Sequence, residues 1–254
     1  MNTTSLENKV VLITGATSGI GKATAIAFAK AGAKVVLSGR RAKEGQAVAD
    51  SIKATGGNAT FVQADVTDEA QVQALVDETL ALHSRLDIAF NNAGVEVLGS
   101  ATAATKEDYT KVFDTNVWSL IASMKHEIPA MLKNGGGSII NTSSIAGHIG
   151  MPNAGLYIAT KHAVEGLTKT AALEYAKQGI RVNAIAPAAI ATEMFTRFTG
   201  GGTEEAVNYM ASLHPVGRIG QPDEIAQPVL FLASGAASFI TGTSLTVDGG
   251  WLAQ

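Results

Sequence analysis

The 254-residue chain has no cysteine, which excludes disulfide bonds and thiolate chemistry. Charge is sparse as well. Only 16% of the residues are charged and the formal net charge is −3, so electrostatics give no reason to expect nucleic acid or an anionic membrane as a partner. No apolar run reaches the roughly eighteen residues of a membrane span. The opening Met1-Asn-Thr-Thr-Ser-Leu-Glu-Asn-Lys carries no apolar signal segment, and a soluble, cytoplasmic protein is expected. His83, His126, His162 and His214 stand at no metal-ligand spacing, so no metal is expected. No Pro/Ser-rich linker, charge block or repeat divides the chain, and residues 1–254 read as one domain.

Against these absences stand 46% hydrophobic residues and 27 glycines, a balance suited to a buried parallel sheet with many tight turns. A chain of this length buries about three quarters of its unfolded surface, enough for a substantial core. Short β-branched runs alternate with amphipathic stretches. Strands are predicted at Val10–Ile13, Lys34–Ser38, Thr60–Gln63, Leu86–Phe90, Ser138–Thr142, Ile180–Ile185 and Ser244–Val247. Helices are predicted at Ile20–Ala31, Ala42–Thr55, Glu69–Leu82 and Lys106–Leu132. Strands interleaved with helices imply an α/β fold with helices on both faces of a parallel sheet. Late in the chain, Gly200-Gly-Gly202 interrupts residues 193–214, which read either as a flexible connection or as a substrate lid hinged at those glycines.

Gly15, Gly19 and Gly21 follow the first strand and open the first helix. There a tight turn and bare helix N–H groups suit a pyrophosphate. The spacing is G-x-x-x-G-x-G rather than the general dinucleotide pattern, so glycines placed for packing alone are the alternative. After the second strand comes Gly39-Arg40-Arg41 where a cofactor lacking a 2′-phosphate calls for an acidic residue. Guanidinium binds a phosphate through charge-assisted, often bidentate bonds, so NADP(H) is the expected cofactor, with NAD(H) as the second choice. Arg40 is the expected chief contact and Arg41 its helper; two solvated arginines at a helix start are the plainer reading. Asp65 and Val66 follow the third strand and are placed to meet the adenine, and Asn92, Ala93 and Gly94 follow the fourth, where the cofactor crosses the sheet edge.

Tyr157 and Lys161 are four residues apart and share a helix face. Bringing a phenol from pKa about 10 to about 7 requires about 4 kcal/mol of phenolate stabilisation. One cation at about 4 Å supplies energy of that order at an effective dielectric near 20. The spacing therefore predicts an ammonium beside the phenol and a lowered phenol pKa. Alone, it is also what an ordinary solvated helix face offers. An asparagine at 116, inside an apolar helical stretch, is costly without a partner.

Thr14-Gly-Ala-Thr-Ser-Gly19-Ile-Gly21, Asn91-Asn-Ala-Gly94, Ser144 and Tyr157-x-x-x-Lys161 occur in order at strand ends and helix starts. Together they resemble the short-chain dehydrogenase/reductase family over nearly the whole chain. The resemblance implies a Rossmann-type, doubly wound seven-stranded sheet in the order 3-2-1-4-5-6-7, and a homotetramer. It makes Tyr157 the proton donor, Lys161 its modulator and ribose contact, Ser144 the group that binds the substrate oxygen, and Asn116 the holder of a water linking Lys161 to solvent. Thr17, Ser18 and Ile20 complete the cofactor loop, Pro187 joins the cofactor site, and Ile190 and Thr192 hold the carboxamide and phosphates of the cofactor. The family's usual Pro-Gly is Pro187-Ala188 here, which puts the pocket shape in doubt. The expected pocket lining is Val95, Glu96, Val97, Ile145, His148, Asn153, Ala189, Met194, Phe195 and Phe198, mostly apolar. That favours a medium-sized ketone or secondary alcohol. Reduction of 3-oxoacyl groups on a carrier protein is the alternative activity, and a nucleotide-binding sensor without turnover is the alternative class.

Overall fold

A computed structural model describes residues 5–254; the opening Met1-Asn-Thr-Thr of the sequence lies outside them. Seven strands form one sheet: β1 (Val10–Ile13), β2 (Lys34–Gly39), β3 (Asn58–Gln63), β4 (Ile88–Asn91), β5 (Gly137–Thr142), β6 (Ile180–Pro187) and β7 (Ser244–Val247). Their spatial order is β3-β2-β1-β4-β5-β6-β7 and every pairing is parallel, as the resemblance implies. All seven carboxyl ends therefore meet at one edge of the sheet, where ligands bind in such folds.

Alternate residues of each strand face opposite sides, and the core divides accordingly. Val11, Ile13, Val35, Leu37, Ile88 and Phe90 pack against Phe28 of α1 (Gly19–Lys30), Val48 and Ile52 of α2 (Ala42–Ala54), and Val229 and Leu232 of α9 (Pro222–Ala233). Leu12, Val36, Ala89 and Ile139 face the other way. They meet Leu75 and Val76 of α3 (Glu69–His83), Met124 and Ile128 of α5 (Ser119–Leu132), and Val164 of α6 (Gly155–Tyr175). Fully burying one such aliphatic side chain stabilises the fold by about 1.5–3 kcal/mol. On the β7 side, Arg181 donates from NH1 to Leu232 O (2.7 Å) and from NH2 to Ser234 O (3.1 Å). The guanidinium thus satisfies carbonyls that the end of α9 leaves without helical partners. Among the described residues, no helix is long and apolar enough to cross a membrane.

The helix expected over Lys106–Leu132 is broken. Its first part, α4 (Lys106–Phe113), passes through a five-residue π turn at Asp114–Trp118 before α5 begins. Asn116 lies in that turn. The physical cause is its buried amide: Oδ1 accepts from Val95 N at 2.8 Å, while Nδ2 donates to Val95 O at 2.9 Å and to Thr160 Oγ1 at 3.1 Å. Widened turns of this kind occur most often at functional sites. The segment after β6 forms α7 (Glu193–Phe198) and α8 (Glu204–Ser212), separated by Gly200, Gly201 and Gly202, all at positive φ.

Candidate active site

A cleft of about 600 Å³ opens at the carboxyl edge of the sheet. Its outer end is built from the loop between β1 and α1. Gly15 has φ +65°, and a Cβ there would stand 2.8 Å from Ala93 Cα. At Gly21 a Cβ would come 2.4 Å from Gly15 O, so the loop closes only over glycine. Asn92 fastens it from the neighbouring strand: Nδ2 donates to Gly15 O at 3.1 Å, and the Asn92 N–H donates to Thr14 Oγ1 at 3.1 Å. Ser18, the N-cap of α1, makes no capping bond with its side chain, and no acidic residue lies in the first turn. The helix therefore presents bare N–H groups and a positive dipole end to the cleft, which fits a pyrophosphate.

Gly39, Arg40 and Arg41 flank this loop, and Asp65 and Val66 stand beyond them. Arg40 is well exposed, with NH1 3.8 Å from Asp65 Oδ2. Asp65 Oδ1 is already engaged by Thr67, accepting from its N at 3.0 Å and its Oγ1 at 2.8 Å. Arg41 is the more heavily bonded of the two arginines. Its Nε and NH2 donate to Thr17 Oγ1 (3.2 and 3.0 Å), NH2 also donates to Ser18 Oγ (2.6 Å), and NH1 donates to Glu193 Oε2 (3.0 Å).

At the inner end, Ser144 follows β5, and Tyr157 and Lys161 lie on α6. Ser144 Oγ donates to Pro187 O at 3.2 Å and accepts from Ala146 N at 3.2 Å, and its hydroxyl is near enough to act on the Tyr157 phenol. Lys161 is buried and donates from Nζ to Thr142 O at 2.8 Å. Its ammonium lies over the Tyr157 ring, 5.6 Å from the centroid, rather than beside the hydroxyl. Helical spacing puts both groups on one face, as expected, but the electrostatic outcome is reversed. Burial pushes the Tyr157 phenol up to about 12; the Ser144 hydroxyl opposes that and the nearby Glu96 carboxylate adds to it. Burial also lowers Lys161 to about 8, against the pull of Glu165. Desolvation of both groups is what periodicity leaves out.

Asn116 does not reach the cleft wall, and its amide is committed to Val95 and Thr160. A cavity of about 10 Å³ lies among Thr14, Asn91, Asn116, Ser119, Ser123 and Thr142, with Ala93, Leu120 and Val164 closing it. That is near the smallest space that holds one water, and its lining mixes polar and apolar groups.

Of the residues expected to line a pocket, Val95, Glu96, Ile145, Ala189, Met194, Phe195 and Phe198 stand in the cleft wall. Val97, His148 and Asn153 are not part of the wall. His148 turns away, with Nε2 3.0 Å from Ser244 Oγ and 3.3 Å from Glu165 Oε1. Asn153 serves the backbone instead: it takes φ +60° and its carbonyl accepts from Gly99 N at 2.8 Å. Among the described residues, Ala188 is not one of the three non-glycine residues with positive φ, so alanine fits there without backbone strain. Thr192 N-caps α7 through a bond from Phe195 N, and its Cγ2 lies 3.2 Å from where a Gly19 Cβ would stand, which brings Ile190, Thr192 and α7 over the cleft.

Wall residues not expected from the sequence include Lys111, Met151, Glu193, Arg197, Met210 and Trp251. Trp251 folds back edge-on against His214, with centroids 4.9 Å apart, placing the chain's end on its own cleft. Arg197 of α7 grips Glu96 with two bonds, Nε to Oε1 at 2.7 Å and NH2 to Oε2 at 3.2 Å. An acidic residue at 96 and a basic one at 197 are the available signal, but nothing local brings them together.

A family model described as enoyl-(acyl carrier protein) reductase matches residues 15–252. Cyclohexanol dehydrogenase of Acinetobacter sp. (strain SE19) is 45% identical over 250 residues, 97% of this chain and 96% of that protein. The crystal structure of levodione reductase superposes with a TM-score of 0.93 at 36% identity, covering 97% of this chain and 98% of that one. A Beutenbergia cavernae structure with NADP bound at low occupancy superposes with a TM-score of 0.94 at 36% identity, covering 100% of both chains. Likeness in sequence and in fold, extending over nearly the full length, places this chain in the short-chain dehydrogenase/reductase family of NAD(P)-dependent oxidoreductases.

Proposed function

We propose that this protein interconverts secondary alcohols and ketones with a preference for NADP(H), and that its substrate is a medium-sized, mainly apolar, cyclic compound. The observation that carries this reading is the convergence of Ser144, Tyr157 and Lys161 at the inner end of a cleft whose outer end suits a pyrophosphate. When bound, the nicotinamide cofactor supplies or accepts the hydride. Gly15, Gly19 and the N-terminus of α1 hold its phosphates, and Arg40, with no acidic residue in its place at the end of β2, meets the 2′-phosphate.

The chain's own residues handle the proton. A substrate oxygen sits between Ser144 Oγ and Tyr157 Oη, and the protonated phenol donates to it as negative charge develops in reduction. Lys161, one helical turn along and lowered to about 8, changes charge near neutral pH over the Tyr157 ring. Phe195, Met194, Phe198 and Ile145 exclude water from the reacting carbon. The cyclohexanol dehydrogenase relative supports a ring alcohol or ketone as the substrate. Assembly as a homotetramer belongs to the same reading and rests on the family resemblance.

The test is oxidation of NADPH and of NADH with ring ketones, aliphatic ketones and 3-oxoacyl thioesters. Ring ketones with NADPH are expected to turn over fastest. Faster turnover of the thioesters would transfer the assignment to carrier-linked reduction. Tight NADPH binding with no turnover of any carbonyl would favour a sensor.

A further inference from the structure

The sequence casts Arg41 as a helper toward the cofactor, yet all three of its guanidinium nitrogens are engaged by the protein. The partner that matters is Glu193, the first residue of α7. Glu193 Oε2 accepts from Arg41 NH1 at 3.0 Å and from Ser18 Oγ at 3.3 Å. A carboxylate therefore rests on the hydroxyl and guanidinium that border the end of β2, 152 residues away from Arg41 in sequence. Both partners are partly exposed, at 43% and 57% of their side-chain surface, so the pair is free to exchange with a stronger anion.

We propose that Glu193 is a specificity-determining residue that competes with the cofactor's 2′-phosphate for Arg41, and so sets the ratio of NADP(H) to NAD(H) affinity. This rests on the assignment of the Gly15–Gly21 loop and Gly39–Arg41 as the nucleotide site. A 2′-phosphate held by Arg40, Arg41 and Thr17 brings a dianion against the Glu193 carboxylate. Like charges at such range repel, so Glu193 must leave Arg41 before the phosphate seats fully. A cofactor with a free 2′-hydroxyl makes no such demand and leaves the pair intact. Glu193 thus penalises the phosphorylated cofactor selectively. Because it begins α7, its release also frees the nucleotide-side tie of that helix, while Arg197 keeps the substrate-side tie on Glu96.

The experiment is titration calorimetry of the intact protein with adenosine 2′,5′-bisphosphate and with ADP, which lacks the 2′-phosphate, for the wild type, Glu193→Gln and Arg41→Ala. Glu193→Gln is expected to tighten the 2′,5′-bisphosphate about fivefold, the scale of an exposed ion pair, and to leave ADP within about twofold. Arg41→Ala is expected to weaken the bisphosphate alone. Equal changes for both ligands in Glu193→Gln, or none, would overturn the competition while leaving the nucleotide site in place. If the wild type binds neither compound, the nucleotide-site assignment falls, and the inference falls with it.

Discussion

Glu96 and Arg197 meet across the mouth of the cleft through two hydrogen bonds although 101 residues separate them. One stands on the loop after β4 and the other on α7, so the pair ties the helix over the pocket to the sheet edge. The same carboxylate, its side chain only 10% exposed, adds its charge to the burial that holds the Tyr157 phenol high. Raising a phenol favours its neutral form, which suits donation in reduction and handicaps the phenolate needed for alcohol oxidation.

Glu96→Gln removes that charge and keeps a hydrogen-bonding partner for Arg197. The ascending limb of the oxidation rate, which follows the phenolate, should then move to lower pH. A pH profile of kcat for alcohol oxidation checks it; an unmoved limb would detach Glu96 from the phenol.

Tyr157→Phe deletes the donated proton while leaving the ring. Turnover should fall by about 10²–10⁴-fold, the usual contribution of a positioned acid, with the dissociation constant of NADPH changed little. Steady-state kinetics beside a fluorescence binding titration distinguish the two effects, and retained activity would end the proton-donor assignment.

Arg40→Ala should weaken NADPH by about 10–100-fold, the scale of hydrogen bonds to a charged group, while NADH stays within about twofold. An equal loss for both cofactors would mean that Arg40 supports the loop rather than the phosphate.

Glu127 of α5 offers a test of stability. It is 1% exposed, burial pushes its carboxyl up to about 7, and its one opposing contact is a bond from Asn91 Nδ2 at 3.0 Å. Between the unfolded value near 4.5 and the folded value near 7, the native state binds more protons than the unfolded one, so stability falls as pH rises. The fall should total about 3 kcal/mol at ~1.36 kcal/mol per unit. Glu127→Gln removes this dependence. Denaturation midpoints from pH 4 to 8 should therefore decline in the wild type relative to the variant, and parallel curves would refute the shift.

The sheet is legible because its signal is local. Val10–Ile13 is apolar on both faces, and such runs recur between amphipathic stretches at the spacing of β–α units. The turn between β1 and α1 is legible too, since three glycines directly after a strand suit a tight turn with close backbone approach. Three features lie beyond reading. The Lys161–Tyr157 pair can be located, but its electrostatics follow from burial, which depends on every element packed around α6. Arg197 and Trp251 reach the cleft only through tertiary folding of distant segments. His148 looks like a pocket residue from its place after Ser144, but the chain turns at Ile145–Gly147 and sends it to Ser244 and Glu165.

The wide turn at Asp114–Trp118 is a phase shifter. Each residue of a helix rotates the next by about 100°, so one surplus residue in a turn re-aims everything downstream without altering any side chain. Losing a single position there would restore a regular helix while swinging Asn116 away from Val95 and Thr160, or else turning the apolar face of α5 off the sheet. In this stretch, length is under tighter constraint than composition, and a one-residue deletion that improves the local backbone would cost the protein more than most substitutions.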